Sequence, residues 1–182
     1  MQKEIAVLIG GPGTGKSALI ESLTQKGYCC YPEISREITL EAQKKGVDQL
    51  FLQDPLLFSA LLLEGRREQY KKAMAAHNNP VFIDRGIPDI VAYLKYLNMD
   101  YPSHFDTACR ESRYNRVFVL PPWEAIFESD NERYETFEQA KKIHEHLIRA
   151  YSALGYELIE VPEGTVEKRV QFLFEILNVD FE

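Results

Sequence analysis

Gly10-Gly11-Pro12-Gly13-Thr14-Gly15-Lys16-Ser17 satisfies G-x-x-x-x-G-K-[ST] at each fixed position. Closely spaced glycines permit positive φ, so successive backbone N–H groups turn inward and form a concave anion nest. Lys16 brings a point charge suited to β- and γ-phosphates, and Ser17 brings a hydroxyl that can ligate Mg²⁺. A carboxylate follows at Asp84, the last residue of the apolar run Val81-Phe82-Ile83. A hydrophobic strand ending in Asp is where a phosphate-loop protein holds Mg²⁺ or its water; the alternative is an Asp that caps the next turn. Arg85 comes next, either facing the triphosphate or acceptor or forming a surface ion pair. Glu33 and Arg36 stand three apart, which predicts one shared helix face: a carboxylate and a guanidinium at the loop's own sheet edge, or a solvated pair. Arg133 lies in a polar stretch, 124–135, that reads as a lid bringing a cation over bound phosphates, or as a solvated surface segment.

The flanking elements support the phosphate-binding reading. Ile5 to Ile9 is an apolar run of strand length, and Ala18 to Gln25 carries Leu19, Ile20 and Leu23 at helical spacing. Strand, glycine-rich turn and helix therefore follow in the order that such a loop requires, with the helix N-terminus adding its partial positive charge. Further strands are expected at 28–31, 81–84, 117–120 and 156–161. Helices are expected at 33–45, 55–77, 87–97, 103–111, from Phe137 to Gly155, and 166–177, with 48–54 as a connector. Five strands alternating with helices predict an α/β fold with a mostly parallel sheet covered on both sides. Trp123, Tyr93 and Phe58 are assigned to the core rather than to a ring-binding site. Four histidines show no ligand spacing that would make a metal site.

Composition narrows the partners. At 182 residues, 1–182 reads as one domain with a single core. A formal charge of −7 argues against general nucleic-acid binding, which needs a basic face. Cys29, Cys30 and Cys109 are odd in number and lack metal spacing, so they predict no disulfide framework and a reducing, cytoplasmic setting. No run approaches the length of a membrane span.

The motifs together resemble a known group. Gly10 to Ser17, Pro32-Glu33-Ile34-Ser35-Arg36-Glu37, Phe82-Ile83-Asp84-Arg85-Gly86 and Asp130-Asn131-Glu132-Arg133-Tyr134 occur in an order similar to that of P-loop ATPases related to the ribosylnicotinamide kinase domain. The tail from His146 through Gly155-Tyr156 and Val161-Pro162 to Arg169-Val170 resembles the same family. The resemblance implies a three-layer P-loop NTPase sandwich of the nucleoside- or nucleotide-kinase type, with strand order 2-3-1-4-5. It also implies a lid arginine at Arg133 and a loop from Pro162 to Thr165 beside the adenine.

The expected function is Mg-dependent transfer of the γ-phosphoryl group of ATP to a small, nucleoside- or nucleotide-like acceptor. Lys16, Arg133 and Mg²⁺ would neutralise charge on the transferring group, and Glu33 or Asp84 would orient or deprotonate the acceptor hydroxyl. Arg36 and Arg85 would face the acceptor. The alternative is an ATP-hydrolysing or nucleotide-sensing module without an acceptor. A guanine-binding Asn-Lys-x-Asp segment and a transporter-type Leu-Ser-Gly-Gly-Gln segment are both missing from the sequence, which favours ATP and disfavours a transport ATPase.

Overall fold

The central strand, β1 (Ile5–Ile9), is fully enclosed: each of its five residues has no exposed surface. A strand buried on both faces needs a helical layer on each side, and the alternation of its side chains decides which residue meets which layer. The computed structural model describes residues 3–127 and 135–179. In it, β1 leads through the glycine-rich loop into α1 (Lys16–Gln25), then β2 (Cys29–Tyr31), α2 (Ser35–Lys44), α3 (Leu50–Gln53) and α4 (Pro55–Ala75). The chain continues through β3 (Val81–Asp84), α5 (Ile87–Tyr96), α6 (His104–Glu111) and β4 (Arg116–Val119). A short 3₁₀ turn (Glu124–Ile126), α7 (Phe137–Ala153), β5 (Leu158–Glu160) and α8 (Val166–Leu177) complete the described elements.

The five strands form one parallel sheet in the order β2-β3-β1-β4-β5, which is the order the family resemblance implies. Ile5, Val7 and Ile9 of β1 face one side with Val81, Ile83, Val117 and Val119, and pack on Ile143, Leu147 and Tyr151 of α7. Ala6 and Leu8 face the other side with Phe82 and Phe118, beneath Leu19 and Leu23 of α1 and Leu173 and Phe174 of α8. A satellite cluster built from Leu62, Leu63, Ile90, Leu94 and Phe105 binds α4, α5 and α6 to one another. Leu8 pairs with Asp84 and Ile9 with Val119, so the carboxyl ends of the three central strands finish together. That edge is where ligands of open α/β sheets bind.

Several boundaries differ from expectation for local reasons. The helix expected from Glu33 begins at Ser35, so Glu33 lies ahead of it and shares no helix face with Arg36. Glu33 instead turns back to accept from the Ser35 N–H at 3.1 Å. The connector at 48–54 contains the one-turn helix α3, and Asp54 then caps α4 by accepting from Leu57 N–H at 2.9 Å. Strands β4 and β5 are displaced or shortened because their pairing ends where the neighbouring strand ends. All three cysteines are free thiols, and among the described residues no helix is long and apolar enough to cross a membrane.

Phe82 is one of three buried phenylalanines, with Phe118 and Phe174, in the layer beneath α1 and α8. It has no exposed surface and meets the Tyr28 ring edge-on at 5.8 Å. Phe82→Ala is expected to cost about 3–5 kcal/mol of unfolding free energy, read from a urea titration. A loss below about 1 kcal/mol would show that the cavity collapses and that this layer does not govern stability.

Candidate functional site

Three chain segments meet at the carboxyl edge of the sheet: the glycine-rich loop after β1, the loop after β2 carrying Glu33, and the turn after β3 carrying Asp84 and Arg85. The loop after β1 has the geometry its sequence predicts. Gly13 and Gly15 take φ of 72° and 85°, the left-handed region that side chains disfavour. Gly15 is the N-cap of α1, and no side chain caps that helix, so its first-turn N–H groups face the loop's concave side without a side-chain partner. Ser17 is exposed in that first turn.

Lys16 is only 7% exposed. Its Nζ donates to Gly10 O at 2.8 Å, Gly11 O at 2.8 Å and Thr14 Oγ1 at 3.2 Å. Three acceptors match the three N–H bonds of an ammonium. Burial, and secondarily the Arg85 guanidinium, push this ammonium down to about 7, while Asp84, Asp89 and Glu33 act to hold it up.

Asp84 closes β3, on the strand hydrogen-bonded directly to β1, and is 3% exposed. Its Oδ1 is buried and accepts no hydrogen bond among the described residues. Burial raises its carboxyl above the usual range, against the opposing pull of Lys16 and Arg85. An unpaired, buried carboxylate oxygen beside a phosphate nest is costly unless something else completes it. Among the described residues there is no cluster of three or more His, Cys, Asp or Glu able to hold a metal alone. A divalent cation at Asp84 and Ser17 would therefore take its remaining ligands from phosphate oxygens and water, as Mg²⁺ ordinarily does.

The turn after Asp84 is fastened from several sides. Arg85 adopts φ 68°, a left-handed conformation that costs a non-glycine residue about 1–3 kcal/mol and persists only where its surroundings enforce it. Here Arg85 N–H donates to Leu8 O at 3.0 Å, and Gly86 N–H donates to Asp89 Oδ2 at 2.9 Å. Gly86 O accepts from Arg66 Nη1 at 2.9 Å, and Ile87 N–H donates to the Tyr114 hydroxyl at 3.0 Å. Asp89 in turn accepts from the Tyr151 hydroxyl at 2.6 Å. A Cβ on Gly86 would lie 2.5 Å from that hydroxyl, so space rather than backbone angle demands glycine in Asp-Arg-Gly.

Glu33 sits between two guanidiniums. Arg66 Nη2 reaches both of its oxygens at 3.1 Å, and Arg85 Nε reaches Oε2 at 2.6 Å. Burial pushes the Glu33 carboxyl up, but the two cations outweigh it and hold the group below the usual carboxylate range. Glu33 is thus an ionised acceptor of hydrogen bonds and a weak base. Arg85 also donates to the Tyr93 hydroxyl at 3.2 Å, so Tyr93 belongs to this cluster and not simply to the core. Arg36 lies on the exposed side of α2. Arg133 falls outside the described residues.

The structure therefore brings together Lys16, Ser17, Glu33, Asp84 and Arg85. Four participants escape sequence reasoning. Arg66 and Gln69 stand three apart on the buried side of α4, where both are under a tenth exposed; two polar residues on that face were the available signal. Asp89 stands at the third helical position after Gly86, a spacing typical of an acidic residue that reaches back to a helix start. Arg169 of α8 lies inside the stretch that carries the family resemblance, but spacing assigns it no task.

A family model described as an AAA domain matches residues 5–169. No curated protein sequence matches this chain. Among solved structures, NadR protein in complex with NR superposes with a TM-score of 0.77 at 17% identity, covering 99% of this chain and 52% of that one. This chain thus spans about half the length of NadR. Deoxyadenosine kinase from M. mycoides, with products dCMP and dCDP bound, gives a TM-score of 0.71 at 17% identity over 96% of this chain and 98% of that one. Thymidylate kinase from Candida albicans gives 0.67 at 16% identity over 97% and 92%. These likenesses establish a P-loop kinase-like fold. Since the family model runs from the first residue of β1 to Arg169 of α8, the chain belongs to the AAA domain family.

Proposed function

We propose that this protein transfers the γ-phosphoryl group of ATP to a hydroxyl or phosphate of a small, nucleoside- or nucleotide-like acceptor. The observation that carries the reading is the pairing of two half-sites on adjacent strands. The glycine-rich loop with Lys16 follows β1, and the partnerless Asp84 Oδ1 ends β3 beside it. Loop N–H groups and the α1 N-terminus would hold the phosphates, and Lys16 would leave the Gly10 and Gly11 carbonyls to meet them. Ser17 and Asp84 are the residues that fit Mg²⁺, which when bound neutralises charge on the phosphates. Glu33, kept ionised by Arg66 and Arg85, would orient the acceptor hydroxyl and take its proton late. Phosphoryl transfer has a loose transition state and asks little of a base. Arg85 and Arg36 would face the acceptor, and Arg133 would reach the phosphates from the segment at 124–135. A metabolite screen for ATP consumption, with products read by mass spectrometry, tests the reading. ATP loss with no phosphorylated product would favour a hydrolysing or sensing module.

The buried ammonium gives a pH signature. Phosphates raise the Lys16 pKa from about 7, so binding near and above neutrality takes up a proton, and affinity falls as pH rises through that value. Mg-ATP titrations in buffers of different ionisation enthalpy are expected to show this uptake in the wild type and to lose it in Lys16→Met. Uptake that survives in Lys16→Met would mean another group carries the proton.

The two carboxylates are expected to respond in opposite senses. The folded-state pKa of Asp84 lies above its unfolded value, so its ionised form subtracts from stability once pH passes that unfolded value. Asp84→Asn should leave the nucleotide-free protein as stable or more so, while abolishing turnover and its Mg²⁺ dependence. Glu33 has a depressed pKa, so its contribution is present above the unfolded value and is lost as pH falls through the folded one. Glu33→Gln strands two buried guanidiniums and should cost about 3 kcal/mol of stability at neutral pH. Through lost orientation of the acceptor it should also slow transfer by about 10²-fold, with Mg-ATP affinity little changed. Thermal melts and nucleotide titrations of both variants decide the matter. Equal stability changes of one sign would remove the distinction.

A further inference from the structure

Arg169 lies one turn into α8, a helix pinned to the sheet by Val170, Leu173 and Phe174 and capped by the Thr165 side chain. The residue is 4% exposed, although it carries a full charge. Its guanidinium does not pair with a carboxylate among the described residues; both Nη1 and Nη2 donate to Thr14 O, each at 3.2 Å. Trp123, the single tryptophan of the chain, has its ring centroid 5.9 Å from the guanidinium carbon. A buried arginine aimed at one backbone carbonyl of the phosphate loop is an expensive arrangement for packing alone.

We propose that Arg169 is a positioning residue for the phosphate loop, holding the Thr14–Gly15 peptide in its phosphate-binding orientation while Lys16 is engaged with nucleotide. This rests on the nucleotide-binding reading above and adds a residue to it. In a trans peptide the C=O and the following N–H point in opposite directions. Capture of Thr14 O by Arg169 therefore turns the Gly15 N–H away from α8. The approach is close: a Cβ on Gly15 would lie 2.7 Å from Arg169 Nη1, so Gly15 is needed for this contact as well as for its φ of 85°. Thr14 is held on its other side by its own hydroxyl, which donates to Gly11 O at 3.1 Å and accepts from Lys16 Nζ.

The carbonyls of the loop thus have two cationic clamps. Lys16 grips Gly10 O and Gly11 O from within, and Arg169 grips Thr14 O from outside. A triphosphate draws Lys16 away from its carbonyls. Arg169 then remains to keep the loop from relaxing, because its helix is anchored in the core and its target is not displaced. The bond contributes to affinity through preorganisation and does not touch the phosphates.

Calorimetric titration of the full chain with Mg-ATP and, separately, with magnesium and inorganic tripolyphosphate tests this. Arg169→Met is expected to weaken both ligands by the same factor, about 10–100-fold, the range for loss of a hydrogen bond to a charged group. Arg169→Lys keeps the charge without the fork and should weaken both by about three- to tenfold, again equally. Melting of each nucleotide-free variant checks its fold, and if Arg169→Met does not fold, Arg169→Lys decides. Loss confined to ATP would overturn the proposal by showing that Arg169 contacts the nucleoside instead. A lowered melting temperature with unchanged affinities would overturn it in favour of a packing role. A wild-type protein that binds neither ligand would overturn the nucleotide reading itself, an outcome distinct from intact binding that ignores Arg169.

Discussion

Cations withdrawn from water at the carboxyl edge of the sheet bear on the loops after β1, β2 and β3. Lys16, Arg66 and Arg169 are each under a tenth exposed, and the side chain of Arg85 is 15% exposed. A charge moved out of water must be met by acceptors or by counter-charge. The loops comply: Gly10 O, Gly11 O and Thr14 O point at Lys16 or Arg169, Gly86 O points at Arg66, and Glu33 is drawn between Arg66 and Arg85. The phosphate loop and the turn after β3 are therefore shaped by charge satisfaction as much as by their glycines.

This arrangement links stability to readiness for an anionic ligand. Arg66, Arg85 and Arg169 stand in place before any phosphate arrives, so Lys16, which would leave the Gly10 and Gly11 carbonyls, is the cation that binding would reorganise. The cost falls on Asp84, whose buried Oδ1 is left unpaired and whose carboxyl is raised by burial. It falls also on Arg85, held at φ 68°. Both features lie on the same short turn, which the β1–β3 pairing sets beside the phosphate loop. A strained backbone and an unmet acceptor on one short turn are features that a bound ligand would offset.

The scaffold carries these demands by fastening the turn after Asp84 from several elements. Asp89, Tyr114 and Tyr151 come from α5, from the segment before β4 and from α7, yet all converge on the turn after Asp84. Tyr151 also fills the layer beneath β1, so the core and the site share a side chain. Any shift of α7 against the sheet would move the Asp84–Arg85 turn with it.

Local chemistry was enough to read the phosphate loop, the strand ending in Asp84 and the helix from Val166 to Leu177, because each depends on neighbours in the chain: glycine angles and apolar periodicity. The family resemblance supplied the strand order, which the parallel pairing of β3 beside β1 confirms. The start of α2 was misread, since the pull of two distant arginines on Glu33 has no local signature. Arg66 and Arg169 stayed silent for the same reason, their partners lying 33 and 155 residues away. Sequence by itself determined which chemistry the chain carries, because a phosphate nest is built from consecutive residues. Tertiary structure alone decided which charges meet, because burial and distance in space fix the partner of a buried ion and spacing along the chain does not.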